Sequence, residues 1–577
     1  MSAFEEVWAI DFEYRALDGS NPEVVCMVAH EVISGRRLRM WADELTASPP
    51  FRTDDRVLFL SYFACAEMSA FLSLHWPLPR RLLDLYTEYR VLANGRQAVK
   101  RGLLDVAAAF GLAHMASAEK TAMRDRILAG PPFTPAEKVA ILNYCAADVD
   151  LLVALLPKML PGIVGREKGL GRALFRGRYM QAVARMERTG IPVDVDLLSA
   201  LNTHWNTIKR TLIAEVDSRY GVFEGETFKQ AKLEALVERM RIAWPRTETG
   251  RLSVEENVFR EMTRKHPELD ELRELLVTLG QMRLFELPVG RDGRNRCLLS
   301  PFGAITGRNT PSSKKYIFGP ATWMRSLIKP APGRAIAYCD WTSQEVAIAA
   351  VLSGDERLLK VVRDGDPYLG FARLAGLAPE DATKATHGKV RDFCKMLFLG
   401  VSYGMGEETL AGHLGRSTAE ARQLLRLYRE TFAGLTAWTE RQCDRATLAG
   451  RTETVFGWPL IVTAATKPTT LRNFPIQATG AEILRLACCL ATERNINVCG
   501  PVHDALLIED SADRIGRAVN DVRECMDEAS RIVLNGLAVK VDVKIIRYPD
   551  RYHDGRGKAL FEKVSRLLGE VVRLETA

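Results

Sequence analysis

A chain of 577 residues is too long for one hydrophobic core, so two or more domains are expected. Hydrophobic residues at 47% and charged residues at 26% are the proportions of an ordinary soluble globular protein, and no internal repeat or low-complexity segment is present. A net charge of +7 fits a polyanionic partner without specifying one, because clustering matters more than the total.

The N-terminus, Met1-Ser2-Ala3-Phe4-Glu5-Glu6, is acidic and lacks a signal-peptide core. No apolar run is read as approaching the roughly 20 residues of a membrane span. Eleven cysteines, an odd number, are scattered without a Cys-x-x-Cys pair and are expected as buried, reduced thiols. A cytoplasmic monomer without a membrane partner is the expectation. No Walker-type loop occurs, and Gly169-Leu170-Gly171 lacks the third glycine of a dinucleotide fingerprint.

In chain order, residues 1 to about 155 read as α/β. Val7 to Glu13 and Val24 to His30 pattern as strands, and Arg56 to Leu60 as a short buried one. Thr134-Pro135-Ala136-Glu137 reads as an N-cap with proline at the first helical position. Pro161 to Gly169 looks like a linker. Residues 172 to about 290 are mostly helical and charge-rich, 335–352 a strand entering a helix, 366–450 nearly all helical, and 496–510 a hairpin.

Two sets of residues carry chemistry. Asp11 and Glu13 lie two apart on a strand and so face one side. Tyr144 and Asp148 lie four apart on a helix, and Glu67 falls between the two pairs in sequence. Four carboxylates converging would repel unless cations bind between them, which describes a two-metal hydrolytic site with Tyr144 orienting the attacking water. In the second set, Asp340 ends an apolar strand and Asp504 lies at or near a hairpin tip. Neighbouring strands would bring both to one point, where they could hold two Mg²⁺ roughly 3.5–4 Å apart. Arg391, Lys395, Leu399 and Tyr403, spaced by four, line one helix face. Two cations on one turn repel unless an anion lies between them, and a triphosphate would serve.

Here the sequence resembles the family A DNA polymerases. Asp340-Trp341-Thr342-Ser343-Gln344-Glu345 is similar to the first family motif, Arg391-x3-Lys395-x3-Leu399-Gly400-x2-Tyr403-Gly404 to the second, and Val502-His503-Asp504-Ala505 to the third. Thr306-Gly307-Arg308, Asn473-Phe474-Pro475-Ile476-Gln477 and Glu187 to Asp194 match supporting segments, so the resemblance covers about 180–550. It implies that Asp340 and Asp504 bind metal and that Arg391 and Lys395 grip phosphates, Lys395 also protonating pyrophosphate. It implies that Glu345 excludes the ribose 2′-hydroxyl and that Leu399, Tyr403 and Tyr368 border the incoming nucleotide. Arg308, Asn473, Gln477 and His503 would touch DNA. Four positions depart from the family: Leu399 replaces an aromatic, Ala505 removes a carboxylate, Tyr368 stands for histidine and Trp341 for tyrosine.

Asp11, Glu13, Glu67, Tyr144 and Asp148 resemble the proofreading 3′–5′ exonucleases of the DnaQ-like superfamily, with Glu67 in place of the usual aspartate. The implied architecture is an α/β exonuclease domain of RNase H-like fold over 1–160, followed by a right-hand α+β polymerase domain over 161–577. Its thumb would span about 200–300, its fingers about 366–460, and its palm the remaining segments. The implied function is template-directed DNA synthesis with proofreading, as in a phage replicase in its host's cytoplasm. Primer-template DNA and dNTPs would be partners, and two Mg²⁺ at each site cofactors, Mn²⁺ substituting. The alternatives are an exonuclease whose inactive polymerase half is a DNA-binding platform, and a DNA-binding scaffold without catalysis. A single-subunit RNA polymerase is disfavoured by Glu345 and the exonuclease-like front.

Overall fold

A computed structural model describes residues 4–17, 19–96, 99–113, 117–281, 287–319, 321–402, 404–414 and 416–576, with side chains at all of these except 257, 264, 281, 399, 402, 413 and 574–576. The chain forms two compact units. The first comprises Met1–Gly190, Leu298–Thr310 and Ile336–Ile545, and the second Ile191–Cys297, Pro311–Ala335 and Ile546–Ala577.

In the first unit, five strands stand in the order Arg37–Trp41, Glu23–Glu31, Glu6–Arg15, Val57–Ser61, Arg81–Asp84. The central Glu6–Arg15 strand runs antiparallel to Glu23–Glu31 and parallel to Val57–Ser61. Val57–Ser61 is buried at every residue, as a covered strand with a continuous apolar run should be. The Pro135–Val164 helix lies on this sheet and packs Ile141, Cys145, Val149 and Leu152 into one core with Val7, Ala9, Val25 and Val28. It starts as expected: Thr134 accepts from the Glu137 backbone and Glu137 answers on Thr134, a capping box with proline next in line.

Two sequence readings need correction here. Pro161 to Gly169 is no linker: the helix runs on to Val164, and after a short turn the next helix, Gly169–Thr189, begins. The same long helix also passes the length and composition test for a membrane span, and 56% of its most apolar stretch is buried inside the protein. Between Lys138 and Lys158 its only charged residues are Asp148 and Asp150, and reading the run as interrupted there understated its length.

A second, four-stranded sheet has the order Val498–Val502, Ala505–Ser511, Arg334–Trp341, Val541–Arg547. Its hairpin pairs Val502 with Ala505, which leaves His503 and Asp504 as the turn. His503 takes φ +54°, a left-handed value that two-residue hairpins demand and that histidine tolerates better than branched residues. Beside the sheet runs the Pro468–Glu493 helix, buried along most of its C-terminal half. A helical cluster formed by Pro367–Leu374, Gly388–Ser402, Thr418–Thr431 and Ala433–Ala449 closes on Phe371, Phe398, Tyr428 and Phe432, with ring centroids 4.9–5.7 Å apart. Burial of each such side chain is worth roughly 1.5–3 kcal/mol, which fixes the face this cluster turns outward.

The second unit is mainly helical, with Val195–Tyr220, Gln230–Arg239, Glu256–Lys265, Asp270–Gln281 and the C-terminal Lys558–Thr576. Asp194 caps the first of these and also receives Arg551 at 2.9 Å and Lys329 at 3.3 Å. The segment expected as thumb lies in this unit. Nine of the eleven cysteines are buried.

Candidate active sites

Asp340 ends the Arg334–Trp341 strand, and its neighbour in the sheet leads out of the turn that carries Asp504; the Trp341 amide donates to the Asp504 carbonyl at 3.2 Å. The two carboxylates feel each other. Burial first, then the charges of Asp504 and Asp542, push the Asp340 carboxyl up from 3.8 to about 6, and Lys395 pulls it back. Thus the strand pair and the Gly388–Ser402 helix do bring Asp340, Asp504 and Lys395 together. Asp542, on the Val541–Arg547 strand, was not singled out in the sequence; nothing local distinguishes it from any exposed strand aspartate.

Arg308 bridges the centre. Its Nη2 lies 3.3 Å from Glu345 Oε1 and 3.3 Å from Asp504 Oδ1. Burial raises the Glu345 carboxyl and the Arg308 guanidinium opposes that rise. The Gln344 side-chain amide beside it is buried, and neither its nitrogen nor its oxygen has a protein partner. A cavity of about 460 Å³ opens from Glu345 between Phe398, Gly404, Arg429, Arg472 and Asn473. Gln477 is half-buried in the same Pro468–Glu493 helix, and His503 is exposed at the hairpin turn.

Arg391 is where the structure changes the expectation. Its Nε meets Asp366 Oδ2 at 2.5 Å, and its guanidinium lies 5.2 Å from the Tyr368 ring centre. Asp366 also caps the Pro367–Leu374 helix. A side chain therefore already relieves the repulsion between Arg391 and Lys395, and the spacing of cations alone does not require a triphosphate. Tyr368 is buried against Phe398 at 5.4 Å, and its hydroxyl pairs with Ser343. Tyr403 and the Leu399 side chain lie outside the described residues. Ala505 is fully buried.

The N-terminal set also converges. Burial and the Asp148 charge push Asp11 up to about 7, and Glu13 and Glu67 are raised well above the ordinary value by burial and by Asp11. Glu67 Oε2 is buried without a partner, which leaves a lone pair for a cation. Tyr144 shares the helix face of Asp148 and senses Glu13 and Asp148. Two residues were missed. Cys145 Sγ lies 3.4 Å from Asp11 Oδ2, and ligand atoms of Asp11, Glu13 and Cys145 fall within 4.8 Å of one another. Lys120 Nζ is 2.5 Å from Asp148 Oδ2 and 5.6 Å from the Tyr144 ring centre. The acidic motif pattern carries no mark of either: the lysine comes from a separate helix, Ser117–Ala129. Clustered carboxylates fit hard divalent cations at both centres, and the N-terminal one adds the orphaned Glu67 oxygen.

The sequence model of DNA polymerase family A matches residues 196–548. The chain is 27% identical over 388 residues to the thermostable DNA polymerase I of Thermus filiformis, which covers 60% of this chain and 45% of that protein. It is 23% identical over 442 residues to DNA polymerase I of Aquifex aeolicus, covering 70% and 74%. It is 25% identical over 408 residues to the DNA polymerase of Mycobacterium phage D29, covering 68% and 66%. The chain thus matches less than half the length of the Thermus relatives. Among solved structures, the POL domain of Pol1 from M. smegmatis, in complex with DNA primer-template and dNTP, shares the fold. The TM-score is 0.72 at 19% identity, over 94% of this chain and 95% of that one.

Proposed function

The chain belongs to DNA polymerase family A, and we propose that it extends a primer along a DNA template with dNTPs and trims mispaired 3′ ends at its N-terminal carboxylate centre. The observation that carries the first half is that Asp504 and Lys395 both stand near enough to Asp340 for their charges to act on its carboxyl. Mg²⁺ bound by Asp340 and Asp504, with Mn²⁺ as a substitute, would supply charge neutralisation and an activated primer hydroxyl. Lys395 holds the proton that leaves with pyrophosphate, and Arg391 turns from Asp366 to the phosphates when they bind. Glu345 crowds the sugar 2′-position, with Leu399, Tyr403 and Tyr368 around the nucleotide. Arg308, Asn473, Gln477 and His503 contact primer and template. DNA binds chiefly through its phosphates, so affinity falls as salt rises.

For the second half, Asp11, Glu13, Glu67 and Asp148 hold the cations, and Tyr144 orients the attacking water. The support is their convergence and the orphaned Glu67 oxygen. Lys120 already places one positive charge on Asp148, so a cation there competes with an ammonium. A phage DNA polymerase stands among the relatives, and a phage replicase working as a monomer in the host cytoplasm is part of this proposal. The domain limits 1–160 and 161–577 belong to this proposal.

Extension of a labelled primer by the wild type, lost in Asp504→Ala, is the expected result. Shortening of a mismatched 3′ end should persist in Asp504→Ala and vanish in Asp11→Ala. Shortening without any extension by the wild type would favour the exonuclease with an inactive polymerase platform.

A further inference from the structure

Arg308 reaches Asp504 and Glu345 from a tight turn, in which Gly307 donates to the Ala304 carbonyl at 3.0 Å and Ala304 to the Arg308 carbonyl at 3.1 Å. This turn is held from two sides. On one, Arg485 Nη1 donates to the Gly307 carbonyl at 2.8 Å and Trp458 Nε1 to the Ile305 carbonyl at 2.9 Å. Gly307 takes φ +74°, and an added Cβ would come within 3.0–3.1 Å of Trp458 and Arg485, so the turn fits closely there.

The other side is the exonuclease-like segment. Arg90 Nη2 donates to the Ala304 carbonyl at 3.0 Å and the Gly303 carbonyl at 3.2 Å. Asn94 Nδ2 donates to the Ile305 carbonyl at 2.7 Å and the Pro459 carbonyl at 2.6 Å. Both side chains are nearly fully buried, 3% and 4% exposed. Arg101 adds a bond to Gly303 from the surface, at 3.4 Å. Backbone meets backbone beside them: Ile461 donates to the Asn94 carbonyl at 2.9 Å, and a Cβ on Gly95 would fall 2.3 Å from the Ile461 oxygen.

Arg90 lies on the Leu85–Ala93 helix and Asn94 ends it; the helix itself is braced. Glu88 and Arg176 form a buried two-bond ion pair at 2.6 and 2.8 Å. Asp84 caps the helix and also accepts from the Phe63 and Ala64 amides, at 2.7 and 3.2 Å, where the helix carrying Glu67 begins. One nine-residue helix therefore connects the support of Glu67 to the support of Arg308.

We propose that the Leu85–Ala93 helix is a positioning element for nucleotide addition, with Arg90 and Asn94 holding the 303–307 turn that presents Arg308 to Asp504 and Glu345. Buried carbonyls left without donors are costly, so a turn bonded on both faces keeps its place, whereas one bonded on a single face shifts. The proposal rests on the polymerase reading above. The full chain is needed for nucleotide addition even though the helix belongs to the other, exonuclease-like segment.

Single-turnover insertion on a primer-template tests it, with rate, dNTP affinity and dNTP/rNTP preference read separately. Arg90→Ala and Asn94→Ala should each slow insertion on the order of ten-fold, the loss of hydrogen bonds to the backbone turn that presents Arg308. They should also change dNTP/rNTP preference, because Glu345 loses its fixed partner, and Arg90→Lys should recover most of the rate. In an Arg308→Ala background neither substitution should slow insertion further. Additive effects, or wild-type rate and preference in both variants, would overturn the proposal. Should the buried substitutions prevent folding, Arg101→Ala, a surface change, decides the matter by the same comparison with Arg308→Ala. Wild-type protein that inserts no nucleotide would overturn the polymerase reading itself.

Discussion

Glu345 shows how one side chain acquires a role from what stands beside it. It is partly buried, carries a raised pKa from that burial, and is held by the guanidinium of Arg308, which also touches Asp504. Its position is therefore tied to that of Asp504. With Glu345 crowding the sugar 2′-position as proposed, Glu345→Ala should raise ribonucleotide incorporation by about ten-fold or more, the scale of one lost steric or hydrogen-bond discrimination. Parallel dNTP and rNTP insertion assays measure it, and unchanged selectivity would remove Glu345 from this role. Asp366 makes the complementary point. It neutralises Arg391 within the protein, so the basic stripe of the Gly388–Ser402 helix is not evidence of a bound triphosphate by itself.

The Pro135–Val164 helix is the element on which the N-terminal centre depends, because it carries Tyr144, Cys145 and Asp148 on its buried face. Its start was legible: threonine, proline and glutamate in that spacing satisfy orphan amides locally, with no help from the rest of the chain. Thr134→Ala should lower stability by about 1 kcal/mol in a denaturant titration, with primer extension retained. A larger loss, or lost extension, would mean that the cap also supports distant structure. The end of this helix was not legible. Pro157 and Pro161 argue for a break, yet the helix continues through both to Val164, where tertiary burial of Met159 and Ile163 outweighs the lost backbone bonds.

For the whole molecule, the buried carboxylates set a pH dependence. Asp11 and Asp340 have folded-state values of about 7 and about 6, above the ordinary 3.8. A carboxyl raised on folding contributes stability that is full below about 4 and is lost as pH rises through the folded value. Metal-free protein should therefore lose melting temperature between about pH 4 and pH 7. Mg²⁺ binds the ionised carboxylates, so the increment it adds should grow over the same range. An increment independent of pH would count against these carboxylates as cation ligands. The order of the motifs and their local setting were legible in the chain: Asp11 and Glu13 on one strand face, Asp340 near a strand end, Asp504 at a hairpin turn, Arg391 and Lys395 on one helix face. Those features follow from periods of two and 3.6 residues and from turn chemistry, which act over a few residues. Packing chose the partners: Lys120 on Asp148, Cys145 against Asp11, Asp366 on Arg391, Arg308 between Glu345 and Asp504, and Arg90 bonded to the turn of Arg308. Each of these joins residues from separate parts of the chain, the Cys145 contact included, where the helix packs on the sheet. Such contacts are fixed by how whole layers pack, for which no local pattern of residues leaves a mark.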